Sequence, residues 1–408
     1  AAIEVYKQAI KINPEFAESF YNIGIALEDK GDLEAAIDSY KKAIKFKPNY
    51  ADSYNNLGNA LAENGDLGAA IESFKQALRI KPGFSEAYYN IGNALRGVAF
   101  STPNPEIRSI ITSILEYKTF VRPADISLAA ISLLKFEPSI LKLFEKHSAG
   151  QLGQSLQEVI SDLAELPLLL KFMSVCPIAD LDLEVTLTDI RSSLLSSLSA
   201  GLFSPATLCF QSALALQCFT NEYVFSQAND EAKSRTALES AVENTLLKGD
   251  QPSPQSILCL ASYKPLHKYE WCHLLTVTND IEEVFTRQVL EPQQETLLRA
   301  GIPTLQEITD DVSSKVKQQY EENPYPRWVN LALSLNPATI SRRTKAIKLR
   351  LWQKSINEVD APKILIAGCG TGQHSIGTAA RFKNSTVLAV DLSLASLAYA
   401  KRKTEELG

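Results

Sequence analysis

The first 97 residues of the chain repeat with a period of 34. Four sets of identical residues share this spacing: Pro14, Pro48 and Pro82; Asn22, Asn56 and Asn90; Gly24, Gly58 and Gly92; and Ala2, Ala36 and Ala70. Self-similarity at a fixed period of roughly 20–50 residues indicates an array of stacked supersecondary units. Two full repeats, residues 17–50 and 51–84, therefore lie between a leading and a trailing half repeat.

Each repeat is predicted to be a helical hairpin. Apolar residues recur three or four positions apart in both halves of the repeat, as on the buried face of an α-helix. Gly24 and Ala36 are small, which lets two helices approach closely. Gly31 and Asp32 predict the turn between the helices, and Pro48 ends the second one.

The period, the small residues and the proline together resemble the tetratricopeptide repeat. The resemblance implies an α-solenoid whose concave face binds a protein or an extended peptide. Asn22, Asn56 and Asn90 match the position at which the repeats of O-GlcNAc transferase have an asparagine ladder. An amide is both donor and acceptor, so such a ladder can bind peptide backbone. The alternative is that these asparagines only join neighbouring helices.

A receptor for acidic chaperone tails is a poorer match to these repeats. Asn55 and Asn59 fit the carboxylate-clamp pattern of such receptors, whereas Tyr21 and Ile25 depart from it. We therefore expect a partner of another kind.

Residues 98–315 predict an all-α connecting domain. Helical stretches are expected at residues 140–144, 152–166, 190–198, 208–219 and 232–247. We find neither a glycine-rich loop nor an acid pair at catalytic spacing in this region. Cys272-His273 is expected to lie in the core, and His147 and His267 have no evident partner in the sequence. The region indicates no function of its own.

Residues 316–408 contain the part of the sequence that indicates chemistry. Lys363–Ala367 is a short apolar run typical of a buried strand, and glycines follow it at once. Residues 373–382 predict a helix, Thr386–Val390 a second strand, and Leu394–Leu407 a second helix with Ser393 as its N-cap. The order strand, helix, strand, helix is the opening of a doubly wound parallel sheet.

This order predicts a site for a nucleoside with an anionic group. Glycines after the first strand let the backbone approach a ligand closely, and the N-terminus of the next helix favours negative charge. Asp391 lies 21 positions after Gly370, at the end of the second strand. A carboxylate there can accept hydrogen bonds from both hydroxyls of a ribose.

Two cofactors fit this description. A dinucleotide enzyme would have a third glycine where Gln373 stands. The spacing of Gly368, Gly370 and Gly372 instead resembles motif I of class I S-adenosylmethionine-dependent methyltransferases. We favour S-adenosyl-L-methionine as the cofactor and keep a nicotinamide dinucleotide, or a purely structural unit, as alternatives.

The resemblance to class I methyltransferases implies a role for each residue of the site. The loop against the methionine part of the cofactor would consist of Ala367, Gly368, Cys369, Gly370, Thr371 and Gly372. Asp391 would bind the ribose, and Leu392 would lie near the adenine. Many members of the family have an acidic residue where Ala367 stands, so backbone carbonyls would bind the amino group of the cofactor here.

An aromatic and proline-rich segment, residues 319–328, precedes the glycine loop. Similar segments precede the loop in bacterial methyltransferases fused to tetratricopeptide repeats, so the resemblance covers both ends of the chain. Tyr320, Tyr325 and Arg327 are candidates for a lid over the cofactor or substrate; the alternative is a brace of the sheet. The basic stretch after it, residues 340–363, predicts the solvated face of an amphipathic helix.

Composition excludes several other classes. The net charge of −6 argues against a nucleic-acid binder, which needs a broad basic face. The six cysteines show no CxxC pair, so we expect buried reduced thiols and no metal site in a cytoplasmic protein. The uncharged stretch at residues 192–221 contains Pro205, and its apolar runs are too short for a membrane span.

The sequence thus predicts a mainly α protein: a tetratricopeptide-repeat α-solenoid at residues 1–97, the all-α domain, and a truncated Rossmann-like α/β methyltransferase start. The expected function is methyl transfer from S-adenosylmethionine, with the repeats recruiting a partner; the alternative is a non-catalytic scaffold with a vestigial cofactor domain. Met173 is the only methionine. We expect a fragment of a longer protein that has little activity alone, and no catalytic residue is assigned.

Overall fold

The computed structural model describes residues 2–198, 204–305, 310–322, 324–347 and 349–408. It is mainly helical and forms two compact units, Ala1–Ala99 and Phe100–Gly408. The boundary predicted between residues 315 and 316 lies inside the second unit and stays a prediction.

The first unit consists of helices paired into hairpins. Its helices are α1 (Ala2–Ile12), α2 (Ala17–Glu28), α3 (Leu33–Phe46), α4 (Ala51–Glu63), α5 (Leu67–Ile80) and α6 (Ser85–Ala94). Gly31 has a φ of +80° in the turn between α2 and α3, and the Asp32 side chain caps α3 by accepting from the backbone N–H of Ala35. The helical hairpins predicted from the period are confirmed.

The glycine in the first helix of each hairpin makes room for an aromatic ring. A Cβ on Gly24 would lie 2.5 Å from the ring of Tyr40, and one on Gly58 would lie 2.5 Å from the ring of Phe74. Both rings are almost fully buried. The small residue at this position is therefore required by the packing of α2 on α3 and of α4 on α5, as the sequence predicted.

The second unit begins with a series of helices that surround apolar cores. These are α7 (Pro105–Glu116), α8 (Ser127–Leu134), α9 (Pro138–Ser148), α10 (Leu156–Ala164), α11 (Pro167–Val175), α12 (Leu181–Ser197), α13 (Pro205–Thr220), α14 (Asn229–Leu247), α15 (Pro254–Ala261), α16 (Glu282–Phe285) and α17 (Glu291–Arg299). The five helical stretches predicted in this region are confirmed with different bounds; residues 153–155 form a 3₁₀ turn before α10. Residues 199–203 of the uncharged stretch lie outside the described residues.

Two histidines for which the sequence indicated no partner have hydrogen-bond partners in the fold. His147 Nε2 lies 2.8 Å from Asp189 Oδ2, and His267 Nδ1 lies 2.7 Å from the carbonyl oxygen of Gln288. Each partner is more than twenty positions away in the sequence, which is why no local pattern indicated it.

The cysteines are mostly buried, as expected, with one correction. Cys272 lies in the core around α13 to α15, as expected, whereas the neighbouring His273 is exposed, contrary to the prediction. Cys209 is exposed because it faces outward from α13. Within the part of the chain that the structure describes, no cluster of His, Cys, Asp and Glu could hold a metal ion. None of the described helices has the length and apolar character needed to cross a membrane.

The remainder contains α18 (Asp311–Glu322), α19 (Ile340–Ala346), β1 (Lys363–Ala367), α20 (Gln373–Arg381), β2 (Thr386–Val390) and α21 (Leu394–Leu407). The strands are parallel, with Lys363 opposite Thr386 and Ala367 opposite Val390. Both strands and α21 have the predicted bounds, and α20 ends one residue earlier than predicted.

Two predictions for this part were wrong. The basic stretch is helical only over α19, because Leu349 N–H donates to the Thr344 carbonyl and a 3₁₀ turn follows at Lys354–Glu358. The strand β1 is buried only at Ile366: Leu365 is 65% exposed, and Leu388 opposite it is 62% exposed, since no described element covers that face of the pair.

Candidate functional site

The loop after β1 has the backbone geometry that its glycines permit. Gly368, Gly370 and Gly372 all have positive φ, at +70°, +52° and +89°. A Cβ would meet nothing within 4 Å at the first two positions, whereas at Gly372 it would lie 2.6 Å from the Cβ of Ala400 in α21. Gly372 is therefore needed for helix packing as well as for the turn, and the first two leave open space beside the backbone.

Most N–H groups of the loop are bonded within the protein. Those of Gly368 and Cys369 donate to the Val390 carbonyl, and that of Gly372 donates to the Cys369 carbonyl. Gly370 N–H donates to Asp391 Oδ2 at 2.7 Å. The loop is thus fixed by β2, and it offers fewer free donors to an anion than the sequence alone suggested.

Asp391 keeps capacity for a ligand. Its Oδ2 accepts from Gly370 N–H and its Oδ1 from Ser393 N–H, at 3.0 Å. A carboxylate has about four lone-pair positions, so each oxygen can accept one further hydrogen bond. Asp391 is half-buried and the neighbouring Leu392 is 44% exposed. The ribose role that the resemblance implies for Asp391 stays a prediction.

The structure brings the eight predicted cofactor residues to one edge of the strand pair. Residues 367–372 follow β1 directly, while Asp391 and Leu392 follow β2. The carboxyl ends of parallel strands are where open α/β sheets bind ligands. Ala367 and Gly368 are exposed, whereas Thr371 is buried. Burial raises the pKa of the Cys369 thiol to about 11, with the charge of Asp391 acting in the same direction.

The aromatic segment contacts the loop through Pro326 and Trp328, which the sequence analysis did not select as candidate site residues. Thr371 Oγ1 donates to the Pro326 carbonyl at 2.8 Å, and the Trp328 indole N–H donates to the Thr371 carbonyl at 3.0 Å. Trp328 is only 5% exposed, and its backbone N–H donates to the hydroxyl of Tyr399 in α21. A buried tryptophan N–H needs a hydrogen-bond acceptor, and this requirement was the signal in the sequence that could have indicated a structural contact for Trp328.

The three candidate lid residues are not brought together. Tyr320 lies on α18 at 37% exposure, and Tyr325 is 61% exposed. Arg327 contacts the α13 region instead: its Nε lies 3.6 Å from Glu222 Oε1 and its guanidinium lies over the ring of Phe219. Asn323 of this segment lies outside the described residues. The contacts favour the brace over the lid for residues 326–328.

A buried ionic cluster joins α21 to the helical part. Arg402 Nε donates to Glu295 Oε1 at 2.9 Å, and both side chains are about 5% exposed or less. Arg402 also pairs with Glu291 at 3.0 Å and with Glu406 at 3.1 Å. Lys403 donates to the Val329 carbonyl, and burial lowers the pKa of its ammonium group. These contacts hold the helix after β2 in one place.

Two of the three predicted ladder asparagines, Asn56 and Asn90, belong to one row of hydrogen bonds, which Asn55 connects by donating from its Nδ2 to Asn56 Oδ1 at 3.4 Å. Asn56 Nδ2 donates to the Tyr21 hydroxyl at 3.1 Å, joining α4 to α2. Asn90 Nδ2 donates to Asn55 Oδ1 at 3.0 Å, joining α6 to α4. Asn22, Asn56 and Asn90 are all half-buried. The ladder therefore joins neighbouring helices, and it keeps amide groups at the surface.

Comparison with known proteins identifies the first unit. A family model described as the TPR repeat matches residues 1–31, 26–65 and 58–96. Residues 1–96 therefore consist of tetratricopeptide repeats, as the sequence indicated. No curated protein matches the chain.

Three solved structures are similar to parts of the chain. MamA is 37% identical over 22% of this chain, with a TM-score of 0.22, and the chain spans 54% of the length of MamA. YrrB, a TPR protein with an unusual peptide-binding site, is 17% identical over 64% of this chain and 97% of its own, with a TM-score of 0.24. Naa15/Naa10 bound to HypK-THB is 17% identical over 80% of this chain and 40% of that one, with a TM-score of 0.25.

Proposed function

We propose that the tetratricopeptide repeats bind an extended segment of a partner protein. The observation that carries this proposal is the half-buried amide row across α2, α4 and α6. The side-chain amide of Asn90 donates one hydrogen bond to Asn55, and the side-chain oxygen of Asn90 can accept another from a peptide N–H. Stacked repeats give a continuous surface along which such contacts recur.

Alanine at two ladder positions tests this proposal. The double variant N56A/N90A should bind peptides selected from a random twelve-residue library about tenfold more weakly than the natural chain, since two backbone contacts are lost. E34Q serves as a control, because Glu34 is exposed on α3 outside the row. Unchanged affinity in N56A/N90A would show that the ladder only joins helices.

We further propose that residues 363–408 form part of a site for S-adenosylmethionine and that the protein transfers its methyl group. The arrangement of three positive-φ glycines after β1 and Asp391 after β2 supports this. The cofactor supplies an electrophilic sulfonium methyl, and the reaction is a direct displacement. Asp391 would bind the ribose, the open backbone at Gly368 and Gly370 would admit the methionine part, and the segment 326–328 would brace the loop.

Calorimetric titration distinguishes the cofactors. Binding of S-adenosylhomocysteine by the full-length protein, and its loss in G370L, is the expected result. G377L is the matched control, because Gly377 lies on α20 with open space at its Cβ position. Binding of NADH alone would contradict the assignment. Retention of S-adenosylhomocysteine binding in G370L would contradict the role of the loop.

A non-catalytic scaffold is the competing function, and the repeats alone would suffice for it. Incubation of the full-length protein with labelled S-adenosylmethionine and cell lysate separates the two. Labelled protein bands would support methylation of a recruited protein, and a labelled small molecule would show another acceptor. The absence of any label would favour the scaffold.

A further inference from the structure

The face that holds the amide row has an uneven distribution of charge. Helices α2, α4 and α6 carry five carboxylates and no Lys, Arg or His along their described residues. The carboxylates are Glu18, Glu28, Asp52, Glu63 and Glu86. The second helices of the hairpins differ because they do carry cations; α3, for example, has Lys41, Lys42 and Lys45.

Helical spacing places these acids beside the amides. In α4, Asp52, Asn56, Asn59 and Glu63 are separated by four, three and four positions, so they share one face of the helix. The same face of α2 has Glu18 four positions before Asn22, and that of α6 has Glu86 four positions before Asn90. The amide row is thus flanked by a carboxylate on each of the three helices. Asp52, Glu63 and Glu86 are exposed.

Two groups beside this face experience the negative charge of its acids: Tyr21, whose hydroxyl accepts from Asn56, and Glu28, whose carboxylate accepts from the Tyr40 hydroxyl. Burial, together with the charge of Asp52, raises the pKa of Tyr21 to about 12. Burial also raises the pKa of Glu28, and the charges of Glu63 and Asp29 act in the same direction. The charges of Asp52 and Glu63 on α4 therefore reach groups on α2.

Lys47 approaches the face from outside these helices. Lys47, which follows α3, donates to Glu18 at 2.8 Å, and the two side chains are 47% and 42% exposed. Exposed pairs of this kind are weak, because water and salt screen them. An incoming cation can therefore replace Lys47 at Glu18 at little cost.

We infer that the face formed by Asn22, Asn56, Asn90 and their flanking carboxylates binds an extended peptide segment rich in Lys and Arg. The inference rests on the proposed peptide binding by the repeats and adds the chemistry of the partner. The amides bind the backbone of the segment, and Asp52, Glu63 and Glu86 bind its cationic side chains. Charge complementarity of this type selects partners and accelerates association.

Fluorescence anisotropy with the full chain tests the inference. The probes are three labelled twelve-residue peptides that are alike in length: one with six lysines and arginines, one with six acids, and one neutral. At low salt the basic peptide should bind about tenfold more tightly than the neutral one, and added salt should reduce that difference because exposed charges are screened. The salt series uses the natural chain and needs no variant.

Charge-neutral variants locate the effect on the face. The triple variant D52N/E63Q/E86Q should lose the preference for the basic peptide. The control E15Q/E34Q/D38N removes the same number of exposed acids from other surfaces of the unit and should keep the preference. Equal loss in both triples would overturn the inference.

The failure of the inference differs from the failure of the proposed function. Equal or tighter binding of the neutral or acidic peptide would overturn the basic partner and leave peptide binding by the repeats intact. Failure of all three peptides to bind would overturn both.

Discussion

The Asp391 carboxylate accepts a hydrogen bond from the backbone N–H of Gly370 across 2.7 Å, so the acid that ends β2 also sets the shape of the loop that follows β1. The residue proposed to bind the ribose therefore has a structural task in the absence of any ligand. Stability and ligand binding should both respond to its replacement.

D391N should lower the free energy of unfolding by about 1–3 kcal/mol, because an amide has one oxygen for the two N–H groups that Asp391 accepts. Urea unfolding measures this change. D360N is the control, since Asp360 is an exposed acid in the same unit. Equal stability of the two variants would contradict the bracing role of Asp391.

G372A should destabilise the protein more than G370A, by about 1–3 kcal/mol. Both replacements put a Cβ on a residue with positive φ, but only at Gly372 would that Cβ meet Ala400, at 2.6 Å. Thermal unfolding of the two variants gives the comparison. A larger loss in G370A would show that the loop, and not its packing on α21, limits stability.

R402M should cost about 3–5 kcal/mol, because it leaves Glu295 buried without its cation. The double variant R402M/E295Q should recover much of that loss. Burial raises the pKa of Glu295, and removal of Arg402 should raise it further. The folded protein then binds the proton more tightly than the unfolded chain, so the loss in R402M should be smaller at about pH 5 than at about pH 8. A loss that grows as the pH falls would contradict this account.

Cys369 should react slowly with iodoacetamide. With its pKa raised to about 11, the thiolate fraction at neutral pH is about a hundredfold below that of a thiol with the ordinary value of 9.0. The rate should increase with pH up to that pKa. Mass spectrometry can follow it beside the exposed Cys209, which should be labelled first. Faster labelling of Cys369 would show that the loop opens.

Local signals predicted the elements that depend on local chemistry. The bounds of β1, β2 and α21 follow from apolar runs, glycines and the Ser393 cap, whose side chain accepts from Ser396 N–H as expected. The period of 34 predicted the hairpins because each hairpin needs the same small and apolar residues at the same positions for its two helices to pack.

Contacts between distant residues were beyond the sequence. The bond from Trp328 to Thr371 spans 43 positions, and the pair of Arg402 and Glu295 spans 107. The exposure of Leu365 was missed for the same reason, since an apolar run predicts a strand but not what covers it. The basic stretch at residues 340–363 is helical only over α19, and the bond from Thr344 to Asn357, which spans 13 positions, was equally beyond the sequence.

The contact between glycine and aromatic ring in each hairpin has a consequence for how this protein can change over evolutionary time. Gly24 and Tyr40 belong to one repeat, and Gly58 and Phe74 belong to the next. Each pair lies within one hairpin. A duplication of 34 residues therefore adds a hairpin that already contains its own glycine and aromatic ring, and a deletion of 34 residues removes both together. The amide row can therefore gain or lose one ladder asparagine with each repeat, and the core of the remaining repeats needs no compensating substitution.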